Sequence, residues 1–144
     1  MQQLDSLSFT VDGIVGKGRP RFYKDNVLTP PKTRKYEKLV QAMTLFAIAA
    51  YGARTGKTWS RLKRPVRVRI RALFAVPASA SKKERLARIG TPCTKRPDVD
   101  NIEKAVLDGM NGIAYADDSC VFDSHTTKFW HDGEDKVEVT VEAL

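Results

Sequence analysis

Cysteine is scarce in this sequence. Cys93 and Cys120 are the only two in 144 residues and sit in no Cys-x-x-Cys pattern, so neither a disulfide framework nor a zinc site is expected and both read as ordinary reduced thiols. No stretch approaches the roughly 18 consecutive apolar residues of a membrane span. The opening Met1-Gln2-Gln3-Leu4-Asp5 lacks a basic segment leading into an apolar one. A soluble, cytoplasmic protein with no membrane role is therefore expected. Internal repeats, low-complexity tracts and linker-like shifts in composition are also missing. With 42% hydrophobic residues the chain has enough for one core and too little for two, so one domain over residues 1–144 is expected.

Acidic residues are rare in the first two thirds of the chain and concentrated in the last third. Residues 1–97 hold 22 Lys or Arg against 5 Asp or Glu, a net of +17, whereas residues 98–144 hold 3 against 12, a net of −9. A basic surface of that size attracts a polyanion by displacing its condensed counterions, and nucleic acid is the commonest such partner. The concentrated acid is either a solvated face or a site of its own.

Leu7, Phe9 and Val11 alternate with polar residues as in a half-buried strand, before Gly13, Gly16, Gly18 and Pro20 interrupt regular structure. The loop that follows interleaves Lys17, Arg19, Arg21 and Lys24 with glycines and the aromatics Phe22 and Tyr23. Small residues let backbone approach phosphate, cations neutralise it and aromatic faces stack on bases, although a plain basic surface loop has the same composition. From Thr33 a helix is predicted, its core face formed by Tyr36, Leu39, Val40, Met43, Ala47, Ala50 and Tyr51. Gly52–Thr58 is close to a phosphate-binding loop but has three residues between its glycines where that motif needs four, and it follows a helix, so it is rejected.

Val66, Val68, Ile70, Ala72, Phe74 and Val76 share one face of a strand, and Arg67, Arg69 and Arg71 share the other. Such an arginine row tracks a phosphate backbone or simply faces water. Ser81-Lys82-Lys83-Glu84 fits a capping box for a short helix closed by Gly90. A turn-rich link from Thr91 to Pro97 leads into a helix carrying Ile102, Val106 and Met110, capped by Asp98 or Asp100 and ended by Asn111-Gly112. Two strands, about Cys120 to Trp130 and Val137 to Val141, flank an acidic turn.

The acids follow a pattern. Asp98 and Asp100, two apart on extended backbone, project to one side, as ligands to a hard cation must, although the same pair is a routine helix cap. Lys104 and Asp108 continue from Asp100 at four-residue steps on one stripe of the helix, where a lysine is placed to steady a phosphate or to form an exposed ion pair. Asp117 and Asp118 follow a short turn that can return beside the helix start, and either can complete a cation site.

The run from Lys95 to Gly112, with Asp98-Val99-Asp100-Asn101, Lys104 and Asp108, followed by Tyr115-Ala116-Asp117-Asp118-Ser119, resembles the signature of the RusA family of Holliday junction resolvases. The loop at Lys17 to Arg21, then Thr29-Pro30 and Tyr36, is similar to the family's start, whereas 55–64 has no counterpart. The resemblance implies an α+β fold, a small mixed sheet with two to three helices. It also implies a homodimer, often carried by prophages, that nicks four-way DNA junctions symmetrically in recombination and repair. Carried over by position, Asp98, Asp100 and Asp118 hold Mg2+ or Mn2+, with Asp117 as the substitute for Asp118, and Lys104 is the catalytic lysine. Lys17, Arg19, Arg21, Lys24, Arg67, Arg69, Arg71, Lys95 and Arg96 are the expected DNA contacts.

Two rivals are open to test. Pro97-Asp98 with Glu134-Asp135-Lys136 formally satisfies a Pro-Asp…(Asp/Glu)-x-Lys nuclease, but leaves Asp100, Lys104 and the Asp117-Asp118 pair without a role. A non-catalytic DNA-binding protein would use its acids only as caps and solubilising charge.

Overall fold

The computed structural model describes residues 5–18, 21–23, 26–28, 30–59 and 63–144, with backbone alone for 21–23 and 26–28. The first alternating segment forms β1 (Asp5–Asp12), with Leu7, Phe9 and Val11 buried. The basic loop is not wholly irregular, as expected from its glycines: β2 (Arg21–Tyr23) and β3 (Asn26–Leu28) pair antiparallel as a small hairpin. Arg19 and Lys24 lie outside the described residues.

Helix α1 (Pro31–Thr55) begins on a proline in its first turn and ends at Gly56, whose left-handed φ of 71° lets its N–H reach the Gly52 carbonyl at 2.9 Å. The glycine-rich stretch after residue 51 is thus a helix terminus and not a phosphate cradle. Tyr36, Val40, Ala47 and Tyr51 are buried as expected, but Leu39 and Ala50 are exposed, next to Leu45 at 53% and Phe46 at 70% exposure. Between Lys38 and Arg54 the helix carries no charge on any side, which hides from sequence reading which side of that stretch meets the core.

Strand β4 (Val66–Ala75) buries Val66, Val68, Ile70, Ala72 and Phe74 and turns its arginines outward. The capping box opens α2 (Lys82–Arg88), with Ser81 Oγ accepting from the Glu84 amide and Glu84 returning a carboxylate to the Ser81 amide. Then come α3 (Val99–Met110), a 3-10 turn at Asp118–Cys120, β5 (Val121–His131) and β6 (Lys136–Ala143).

The four long strands form one mixed sheet in the order β1-β6-β4-β5, antiparallel except for the parallel β4–β5 pair. Parallel neighbours need a long crossover. Here it holds α2, α3 and the 3-10 turn, and hence most of the acidic cluster. One sheet face and the inner sides of α1 and α3 share a single core containing Leu7, Val40, Ile70, Phe74, Ile102, Val106, Met110 and Val139. The fold is α+β with three helices, in agreement with the expected class.

Candidate active site

Helix α3 is sharply two-sided. Ile102, Ala105, Val106, Gly109 and Met110 are buried, and their three- and four-residue steps leave Asp100, Glu103, Lys104 and Asp108 on the outer flank. These four border a hollow of about 320 Å³ whose far wall is Asp118, Val121 and Ser124. The turn after α3 returns the chain beside the helix. It is held by Tyr115, which is fully buried and whose hydroxyl donates to the Leu107 carbonyl at 2.8 Å.

Asp118 and Asp117 have different surroundings. Asp117 is exposed and caps the 3-10 turn, accepting from the Ser119 amide at 3.1 Å, and those backbone hydrogen bonds hold its carboxyl below the ordinary aspartate range. Asp118 is half-buried, and its Oδ1 is shut from solvent with no hydrogen-bond partner among the described residues. Burial, then the charges of Asp108 and Asp117, raise its pKa; Lys104 acts the other way. The Tyr115 hydroxyl faces Asp118 too, but its one proton is already given to Leu107. Glu103, which the sequence reading passed over, also has a sequestered oxygen, Oε1, without a donor. Its position three residues after Asp100, on the same flank, was the available signal.

Asp98 stands at the N-cap position of α3 in extended conformation, but its side chain makes no capping hydrogen bond. It is exposed and borders a neighbouring cleft of about 950 Å³ with Gly16, Lys17, Lys32, Lys95, Arg96 and Asn101, not the hollow that holds Asp100 and Asp118. Among the described residues no three Asp, Glu, His or Cys side chains are gathered as a ready-made metal cage. Magnesium does not require one, because it takes one or two carboxylates and fills its other positions with water and substrate phosphate. Oxygen-only ligands and a buried carboxylate oxygen lacking a proton donor suit such an ion at Asp118 and Asp100.

The expected DNA-contact residues are distributed unevenly. Lys95 and Arg96 are exposed at the mouth of the larger cleft. Arg21 opens β2. Lys17 is instead drawn inward, its ammonium 2.6 Å from Glu37 and 2.9 Å from Asp108. Burial lowers its pKa, but hydrogen bonds to both carboxylates outweigh that and keep it above the usual lysine value. The arginine row does face outward, but opposite carboxylates: Arg67 meets Asp123 at 2.8 Å, Arg69 meets Glu142 at 3.8 Å and Arg71 meets Glu138 at 3.3 Å.

A family model described as "Endodeoxyribonuclease RusA" matches residues 13–142, which is most of the chain. The chain belongs to the RusA endodeoxyribonuclease family. The chain is also 31% identical over 147 residues to the uncharacterized protein YqaN of Bacillus subtilis (strain 168), covering 96% of each. Within this RusA chain the rival nuclease motif is dispersed. Glu134 is exposed in the β5–β6 turn and does not border the cleft of Asp98; Asp135 does border it, but its carboxylate is engaged by the Ala75 amide at 2.7 Å.

Proposed function

We propose that this protein is a magnesium- or manganese-dependent endonuclease that resolves four-way DNA junctions by paired symmetric nicks, working as a homodimer. The observation that carries this reading is the hollow lined by Asp100, Lys104 and Asp118, in a chain of the RusA family.

Asp100 and Asp118 hold the cation, with Asp98 at the adjoining cleft close enough in sequence to serve the same phosphate. Asp117 remains outside, committed to its cap. A bound magnesium ion supplies Lewis acidity toward the scissile phosphate and lowers the pKa of water beside it. Lys104 is exposed, forms no ion pair among the described residues, and is placed to neutralise charge developing on the phosphate. Lys95 and Arg96 hold the DNA backbone at the mouth of the site. Arg69 and Arg71, both largely exposed and more loosely paired than Arg67, extend that hold across the sheet.

Two cuts on a two-fold substrate suit a two-fold protein. The outer side of α1 offers the surface: between Lys38 and Arg54 it has no charged residue, and Leu39, Leu45 and Phe46 project into solvent. No helix among the described residues is long and apolar enough to cross a membrane.

Purified protein incubated with magnesium and a panel of four-way junctions, forks, flaps and linear duplexes tests the proposal. Symmetric nicks in the four-way junction, lost on adding a chelator, are the expected result. Cleavage independent of divalent metal would overturn the metal assignment, and equal cleavage of linear duplex would overturn the junction assignment.

A further inference from the structure

Lys17 sits in the most basic part of the sequence, and its first interpretation is as a DNA contact. Its geometry argues otherwise. The Lys17 amide donates to the Asn101 carbonyl at 2.9 Å, so the loop runs directly along the start of α3. Gly16 lies so near that a Cβ there would come within 2.7 Å of the Pro97 Cβ. Thr33 of α1 holds the other side of the same loop, accepting from the Gly18 amide at 3.0 Å. The side chain of Lys17 is only 16% exposed and its ammonium closes a triad with Glu37 of α1 and Asp108 of α3.

Asp108 is four residues, one helical turn, after Lys104. That spacing permits a carboxylate and an ammonium to pair on the helix surface. They do not pair here: the Asp108 carboxylate is 2.9 Å from Lys17, and Lys104 forms no ion pair among the described residues. We infer that Lys17 is a positioning residue that occupies Asp108 and thereby leaves the Lys104 ammonium free for the phosphate. This rests on the nuclease reading of the hollow and adds to it the reason that a catalytic lysine one turn before Asp108 is not captured by that aspartate.

The experiment is a comparison of Lys17→Met, Asp108→Asn, the double variant and Lys17→Arg in full-length protein. Single-turnover junction cleavage in magnesium, junction affinity over a range of salt without metal, and melting temperature are measured for each. Lys17→Met is expected to slow cleavage at saturating protein by about tenfold or more, with affinity and salt dependence unchanged. A phosphate contact would instead lower the salt slope by about one. Adding Asp108→Asn to Lys17→Met is expected to bring the rate back to that of Asp108→Asn alone, because the carboxylate that Lys17 had occupied is no longer there to capture Lys104. Lys17→Arg, which still offers a cation to both acids, retains the rate.

A Lys17→Met defect seen in affinity and salt slope, or one that Asp108→Asn fails to relieve, overturns the inference. Should Lys17→Met not fold, Lys17→Gln, which keeps a donor for Glu37, takes its place in the same comparison. A crystal structure of the variant in which Lys104 stays apart from Asp108 overturns the inference whatever the activity. Absence of cleavage by the wild-type protein would count against the nuclease reading itself.

Discussion

Gly109 on α3 lies directly against Val40 on α1: a Cβ added to the glycine would stand 2.7 Å from both the Cβ and Cγ1 of the valine, and 3.1 Å from the Glu37 carbonyl oxygen. The helix that carries the site and the helix that flanks it meet at a place with no room for one methyl group. Gly109→Ala is therefore expected to destabilise the fold by about 1–3 kcal/mol despite the higher helix propensity of alanine, because overpacking outweighs it. Thermal unfolding checks this; an unchanged or raised melting temperature would mean that the two helices slide apart freely.

The two adjacent aspartates should separate cleanly. Asp118→Asn, nearly isosteric, removes the charge a hard cation needs, and cleavage should fall to background while metal-free junction binding persists. Asp100→Asn should behave alike. Asp117→Ala removes only a cap, worth about 1 kcal/mol, and should leave cleavage within a few-fold of wild type. Lys104→Ala should cost about 10²–10³ in cleavage rate with little loss of affinity. Cleavage by Asp118→Asn at the wild-type rate would reverse the assignment of the pair.

Cations of similar composition should differ by environment. Arg96, exposed beside Asp98, is expected to act on phosphate, so Arg96→Ala should weaken junction binding and reduce the slope of log K against log salt by about one. Arg67, only 28% exposed and held by Asp123, is structural by comparison: Arg67→Ala should affect melting more than affinity. Filter binding at several salt concentrations, with melting curves alongside, distinguishes the two.

The bare side of α1 makes the dimer testable by one charge. Phe46→Glu places a carboxylate in the middle of the uncharged stripe, at a position 70% exposed in the single chain. Sedimentation should then report monomer where the parent protein reports dimer. Folding of the subunit should be nearly unaffected, since exposed substitutions are usually within about 0.5 kcal/mol. A wild-type protein that is monomeric at micromolar concentration would remove the dimer from the proposal.

Strong local patterns were legible in the sequence and long-range choices were not. The ten residues of β4 declared both faces by alternation, and Ser81 with Glu84 named the start of α2. The β2–β3 hairpin was missed because three-residue strands are too short to show a period. Spacing places Leu39 and Ala50 on the core face because α1 has no charge on any side between Lys38 and Arg54, and only its packing partners decide which side is buried there. Asp100, Lys104 and Asp108 were placed on one stripe by helical spacing alone, and the hollow does join them. The different surroundings of Asp117 and Asp118 depend on a local cap, and the position of Lys17 on partners 20 and 91 residues away, which spacing does not encode.

The crossover between β4 and β5 has a consequence for synthesis. Asp98, Asp100, Lys104, Asp108 and Asp118 all lie between those two strands, whose parallel pairing joins Val66–Ala75 to Val121–His131. The hollow closes only when Asp118 returns to α3, immediately before β5. If the hollow is the cutting centre as proposed, a nascent chain that has left the ribosome as far as α3 displays the whole +17 segment but does not yet carry that centre assembled. On that proposal the basic charge is made first, and the hollow is completed only as β5 begins.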